Sequence, residues 1–61
     1  MLKITVELRD GDSFVNYVSS INDVRNSEGV FSFEATDGSI VGIPMDYIKY
    51  FTLKEKGNED N

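Results

Sequence analysis

Three turn signals divide the chain into short segments of alternating apolar residues, and this pattern constrains the fold more than any other feature. The turns are predicted at Asp10–Ser13, Asn26–Gly29 and Thr36–Ser39, where glycine stands beside aspartate, asparagine or serine. These residue types tolerate the backbone angles that hairpin turns require. Between the turns, apolar and polar residues alternate, which is typical of strands with one face in a core and one in water. The sequence therefore predicts a small all-β protein whose strands follow one another as an antiparallel meander.

Five strands are predicted around these turns. In the first, the apolar residues at positions 2, 4, 6 and 8 face the core. Pro44 ends the fourth because proline has no backbone N–H, and it suits the start of a 3₁₀ turn over Pro44–Tyr47. The predicted strands cover Leu2–Arg9, a long bent segment from Phe14 to Val24, Val30–Ala35, Ile40–Ile43 and Ile48–Leu53.

Two details of the second strand stay open at this stage. A β-bulge near the serines at 19 and 20 would let the strand bend across a small sheet, and this interpretation is preferred. The alternative is a single helical turn with Ser20 as its N-cap and Asp23 completing a capping box. Phe14–Val18 is apolar on both faces. Either Val15 and Tyr17 or Phe14 and Val18 therefore point inward.

The predicted strands form either a closed SH3-like or Sm-like barrel, or a curved open sheet whose apolar face a partner covers. The β domain is expected to span residues 1–53. Residues 54–61 contain no apolar side chain, so nothing there offsets the entropy cost of ordering, and a disordered polar tail is predicted.

Composition excludes several classes of function. The 61 residues include neither cysteine nor histidine, so disulfides, thiolate metal sites and imidazole catalysis are impossible. We expect no enzyme activity, no cofactor and no metal site, and we interpret Asp10-Gly11-Asp12 as a turn rather than a calcium loop. A chain this short has a small core, and self-association is the stabilising device that its composition leaves open. The sequence thus favours a homo-oligomer.

Charge points to a protein partner. The net charge is −5, and the four bases among residues 1–53 are not clustered, which disfavours direct binding of nucleic acid. An acidic surface can steer a protein toward basic partners. The sequence has no apolar signal core and no stretch long enough to cross a bilayer, so a cytoplasmic, membrane-free location is expected.

An aromatic group near the last strand is one candidate surface. Tyr47 and Tyr50 are three residues apart, with Lys49 between them. They could form an exposed platform for a partner's side chain, or for a nucleic-acid base in an Sm-like module. The plainer interpretation is that one tyrosine packs in the core and the other lies at its rim. Sheet edges are a further candidate, and the first and the last strand are the two favoured for pairing with another chain.

An acidic set is the second candidate surface. Glu7 and Glu34 fall at outward strand positions and Asp37 falls in a turn. If the strands that carry Glu7 and Glu34 are neighbours, the carboxylates form a stripe that could mimic nucleic-acid charge and inhibit a DNA- or RNA-binding enzyme. Otherwise they form a solvated acidic surface that aids solubility.

The segment Val30–Leu53 resembles short proteins encoded by bacteriophages and prophages. The shared features are an apolar and aromatic strand, the Asp37-Gly38 turn, a strand ending at Ile43-Pro44, and Ile48-Lys49 before a final strand. The resemblance implies a phage context and an interaction role, because some small phage proteins act by binding a host protein. It supplies no site residues.

Overall fold

A computed structural model describes residues 1–55 of the chain. They form six strands and two 3₁₀ turns, η1 and η2. The bounds are β1 Leu2–Leu8, β2 Ser13–Val18, η1 Ile21–Asp23, β3 Val24–Ser27, β4 Val30–Glu34, β5 Ile40–Pro44, η2 Met45–Tyr47 and β6 Ile48–Glu55. The strands make two three-stranded antiparallel sheets, with strand orders β2-β1-β6 and β3-β4-β5.

The prediction of an all-β antiparallel fold is confirmed, but the strand count and the closed barrel are not. Six strands are present instead of five, and no strand pairing joins the two sheets within residues 1–55. The extra strand arises because the chain leaves the first sheet after β2 and enters the second at β3. A closed barrel needs strand pairing that continues through this crossing. The 3₁₀ turn η1 lies here instead of paired strand.

The crossing contains the alternative helical turn and not the preferred β-bulge. The Ser20 Oγ accepts a hydrogen bond of 3.2 Å from the N–H of Asn22. The Ser20 N–H donates in turn to Oδ2 of Asp23 at 3.3 Å, which completes the capping box. These bonds satisfy backbone donors that a plain bulge would leave to water, and this offsets the modest helix propensity of the segment.

The predicted turns at residues 10–13 and 36–39 are confirmed and share one design. In the first, the Leu8 N–H donates to the carbonyl of Asp12 at 2.8 Å and the Gly11 N–H donates to the carbonyl of Leu8 at 3.0 Å. Oδ1 of Asp10 accepts from the Asp12 N–H at 3.0 Å, and Gly11 has a φ of 98° that glycine tolerates best. The same bonds recur in the second turn at Ala35, Asp37, Gly38 and Ser39.

The third turn is shorter than predicted. Asn26 and Ser27 belong to β3, and only Glu28 and Gly29 connect it to β4. Both have positive φ, 54° and 79°, which is the geometry of a two-residue turn whose twist matches that of the flanking strands.

The core lies between the inner faces of the two sheets. Ile4 and Val6 of β1 are fully buried, whereas Leu2 and Leu8, predicted as core, are only partly buried at the ends of the strand. The ring of Phe31 stacks on that of Phe51 at 4.3 Å, which joins the two sheets. The buried residues are Ile4, Val6, Val18, Phe31, Phe33, Ala35, Ile43 and Ile48.

The structure settles the inner face of β2. Val18 is fully buried and Phe14 packs against the core, whereas Val15 is 47% exposed. β1 sets this register, because Phe14 and Val18 lie opposite the inward-facing Val6 and Leu2.

The last strand is longer than predicted. β6 continues through Lys54 and Glu55, which lie opposite Lys3 and Leu2 of β1. These two residues were assigned to the disordered tail, and pairing with β1 explains why they are in the strand although neither is apolar. The rest of that tail, residues 56–61, lies outside the described residues. Within residues 1–55, no helix has the length and apolar character needed to span a membrane.

Candidate functional site

The turn η2 is the junction between the two sheets at one end of the molecule. The Arg9 N–H donates to the carbonyl of Tyr47 at 2.8 Å, which ties η2 to the β1–β2 turn. The Met45 N–H donates to the carbonyl of Gly29 at 2.8 Å, which ties η2 to the β3–β4 turn. Backbone hydrogen bonds from both sides therefore fix the position of this short turn.

An open groove lies beside this junction. It has a volume of about 630 Å³ and is lined by Leu8, Arg9, Asp10, Asp46 and Tyr47. The Arg9 Nε donates to the carbonyl of Asp46 at 2.8 Å, and Tyr47 is 64% exposed. We refer to it as the η2 groove. It combines the apolar side chain of Leu8, an exposed tyrosine and a guanidinium that is hydrogen-bonded to the backbone.

The lining of the η2 groove is acidic on balance. It carries two carboxylates, Asp10 and Asp46, and one guanidinium, Arg9. A third carboxylate, Asp12, follows in the same turn, and its N–H donates to Oδ1 of Asp10. A positively charged ligand is therefore attracted to this end of the molecule.

Three of the six predicted interaction residues meet on the outer face of the first sheet. The Tyr50 hydroxyl donates to Oε1 of Glu7 at 2.8 Å, and the Lys49 Nζ lies 3.8 Å from Oε2 of the same carboxylate. The hydrogen bond to the Glu7 carboxylate and its negative charge raise the pKa of Tyr50 above its ordinary value. Lys49 thus has its charge balanced within the chain, and Tyr50 is fixed in place.

The other three predicted residues lie apart from this cluster. Tyr47 lines the η2 groove, Glu34 is exposed on β4 in the second sheet, and Asp37 is in the β4–β5 turn. The backbone N–H of Ser39 donates to Oδ1 of Asp37 and lowers the pKa of that carboxyl. Glu7 and Glu34 belong to different sheets. The condition for a carboxylate stripe is therefore not met, and Glu7 is also engaged by its neighbours.

β1 and β6, the two strands predicted to pair with another chain, have different positions in the first sheet. β1 lies between β2 and β6, so the prediction that it offers a free edge was wrong. β1 is central because β2 pairs with one side of it and β6 with the other. β6 is an edge strand within the part of the chain that the structure describes.

Sequence reasoning missed Arg9 and Asp46 as site residues. Arg9 was assigned to the end of the first strand and Asp46 to the middle of a 3₁₀ turn. Their hydrogen bond joins positions 37 residues apart. Because its acceptor is a backbone carbonyl, no side-chain pattern in the sequence could have indicated the contact.

Comparison with known proteins gives no match to a protein-family model, a curated protein or a solved structure. Among residues 1–55, no group of three acidic, histidine or cysteine side chains is placed to hold a metal ion. The geometry of the two surfaces is therefore the basis for assigning a function.

Proposed function

We propose that this protein is a non-enzymatic protein-interaction module that binds an extended, positively charged segment of another protein in the η2 groove. The observation that carries the proposal is the exposure of Tyr47 beside a groove whose two sides are joined by backbone hydrogen bonds. The resemblance to short phage proteins adds a context: the partner is a host or phage protein, met in the cytoplasm of the host.

Tyr47 has the properties of an interface anchor. Tyrosine offers a large flat surface at a low entropy cost, because few of its bonds rotate, and it is enriched among residues that dominate binding energy. Tyr47 is 64% exposed, so a partner could cover most of the ring. The hydrogen bond that its own carbonyl accepts from Arg9 holds the backbone beneath it in place.

Arg9 and the carboxylates of Asp10 and Asp46 indicate which chemical groups a ligand of the groove carries. The Arg9 Nε is occupied by the carbonyl of Asp46, and the guanidinium keeps further N–H donors for a carbonyl oxygen of a bound chain. The carboxylates of Asp10 and Asp46 attract lysine or arginine side chains of that chain. Because the Arg9 Nε is already hydrogen-bonded to Asp46, binding has less of its side-chain freedom to remove.

The order of elements supports an SH3-like arrangement. β2 and β3 follow each other across η1, so the chain passes from the first sheet to the second as the bent strand of a small meander would. η2 then connects the last strand of the second sheet to an outer strand of the first. In this arrangement the groove lies where the two sheets meet, which is a common place for ligand binding.

A binding experiment with designed peptides tests the proposal. Two libraries of short extended peptides, identical except that lysine and arginine in one are glutamate in the other, are measured by fluorescence polarisation. We expect binding of the basic library only, and an affinity loss of about tenfold or more for Tyr47→Ala. The matched control is Ile40→Ala, since Ile40 is 79% exposed but lies in the second sheet outside the η2 groove. Equal binding of both libraries, or binding unchanged by Tyr47→Ala, would refute the proposal.

A further inference from the structure

We infer that β6 is a self-complementary edge at which two copies of the chain form an antiparallel dimer centred on Thr52. The inference concerns a surface separate from the η2 groove and does not depend on the function proposed for that groove. β6 is eight residues long and pairs with β1 on one side only, within residues 1–55. The backbone donors and acceptors on its other side are a template for another strand.

The register follows from which side chains share a face. A two-fold axis perpendicular to the sheet keeps both cores on the same side, so opposed residues must both point inward or both outward. Phe51 and Leu53 point inward, since they lie opposite Val6 and Ile4 of β1. A centre at Thr52 places Phe51 of each copy opposite Leu53 of the other and keeps the pairs formed by residues 50–54 on matching faces.

The opposed pairs in this register are chemically matched. Phe51 and Leu53 are each only partly buried, so pairing them covers apolar surface that one copy leaves open. Thr52 lies opposite Thr52, a favourable cross-strand pair. Tyr50 lies opposite Lys54, whose aliphatic stem can pack on the ring while its amine stays in water. These three kinds of pair all form between two copies of the same sequence.

The charged residues at the two ends of β6 do not obstruct this register. The regular ladder ends at the irregularity in β6 where Ile48 and Tyr50 lie opposite consecutive residues of β1, with Lys49 between them. Lys49 lies beside Glu7 on the outer face, and Glu55 lies opposite Leu2 beside the N-terminus, so each keeps its ion pair within its own copy.

Neighbouring registers are worse. A centre at Leu53 places Glu55 opposite Phe51, which sets a charged group against a partly buried apolar side chain and costs desolvation energy. A centre at Phe51 places Leu53 opposite Lys49, whose side chain lies on the outer face beside Glu7, so Leu53 has no apolar partner. Lysines on an edge strand discourage indiscriminate pairing. Lys54 is accommodated opposite Tyr50 only when the centre is at Thr52.

Single-cysteine variants test the register directly, because the chain has no cysteine of its own. In the proposed dimer the two Thr52 Cα atoms are about 4.5–5.5 Å apart, within reach of a disulfide. The two Lys54 Cα atoms are offset by four residues along the strand, about 13 Å, which is too far. Oxidation should therefore link Thr52→Cys chains rapidly and leave the matched exposed control, Lys54→Cys, mainly without a disulfide between chains. A mixture of Tyr50→Cys and Lys54→Cys chains should form the mixed disulfide.

Light scattering on the unmodified chain supplies a second measurement. The inference requires a mass that rises from monomer to dimer with concentration. Thr52→Lys should weaken the dimer by placing two like charges opposite each other at its centre, whereas Glu34→Lys in the other sheet should have no effect. A monomer at every concentration, or Thr52→Cys linking no faster than Lys54→Cys, would overturn the inference. Tyr47→Ala should leave the dimer intact, so failure of the groove proposal and failure of the dimer are distinguishable.

Discussion

The hydroxyl of Tyr50 donates a hydrogen bond of 2.8 Å to the carboxylate of Glu7, 43 residues earlier in the chain. The two residues lie directly opposite each other in β6 and β1, on the outer face of the first sheet. The contact ties the last strand to the first beside the irregularity at Lys49, where the strand pairing shifts. The contact thus fixes the register of β6 on β1 at the point where their regular pairing ends.

Replacing Glu7 by glutamine should lower the pKa of Tyr50 toward its ordinary value of 10.0. The change removes the negative charge that opposes ionisation of the phenol and weakens its hydrogen bond. The ring-carbon NMR signal of Tyr50, followed against pH, reports this pKa apart from those of the other tyrosines. Glu34→Gln, in the second sheet, is the matched control. An unchanged Tyr50 midpoint in Glu7→Gln would contradict the assignment.

The hydrogen bond between Tyr50 and Glu7 should also make stability fall as pH rises into the alkaline range. The pKa of Tyr50 is higher in the folded chain than in the unfolded chain. The contact between Tyr50 and Glu7 therefore contributes its full stability below the unfolded-state pKa, and this stability is lost as pH rises through the folded-state pKa. Stability measured by urea unfolding should therefore fall less at alkaline pH in Tyr50→Phe than in the unmodified chain, because the variant lacks the titrating group.

Removing the cap of η1 should destabilise the crossing between the sheets. Ser20→Ala deletes the hydroxyl that accepts from the Asn22 N–H, and losing such a cap costs about 1 kcal/mol. The neighbouring Ser19 is exposed, and Ser19→Ala is expected to stay within about 0.5 kcal/mol of the unmodified chain. Urea unfolding of both variants makes the comparison. Equal midpoints would mean that the capping box contributes no stability.

The ring of Phe31 should be essential for folding. It is 1% exposed, and it stacks on Phe51 and contacts the ring of Phe33, with centroids 4.3 and 6.0 Å away. Replacing a buried phenylalanine by alanine costs about 3–5 kcal/mol, which is as large as the whole stability expected of so small a core. Phe31→Ala should therefore lack native circular dichroism at 25 °C, whereas Val15→Ala, at a half-exposed position, should keep it. A folded Phe31→Ala would show that the core tolerates the cavity.

The sequence predicted those parts of the fold that depend on local chemistry. The Asp-Gly turns at residues 10–13 and 36–39 were located because their hydrogen bonds lie within a few residues. The strand faces followed from alternation, as in β4, where Phe31 and Phe33 are buried. The 3₁₀ turn after Pro44 followed from the fixed φ of proline and its missing donor.

Features that depend on contacts between distant segments were not predicted. Whether Phe14 or Val15 points inward is decided by pairing with β1, not by the apolar run itself. The strand continues to Glu55 for the same reason, since two polar residues carry no signal of their own. At the candidate site, Tyr47 was identified by its type, but Arg9 was not, because its partners are backbone carbonyls of η2.

The Asp37 carboxylate should make the stability of the β4–β5 hairpin depend on pH. The Ser39 N–H donates to it at 2.9 Å and lowers its pKa below the ordinary value of 3.8. Because the pKa of Asp37 is lower in the folded chain, its carboxylate stabilises the fold at pH values above its unfolded-state pKa. This stabilisation is lost as pH falls through the folded-state pKa. Asp37→Ala should therefore lower the urea midpoint at pH 7 and lower it progressively less as pH falls below the ordinary pKa. Asp37→Asn keeps an acceptor oxygen without the charge and should retain part of the stability at pH 7. If the difference between Asp37→Ala and the unmodified chain were the same at pH 7 and in acid, the charge of Asp37 would have no part in holding the turn.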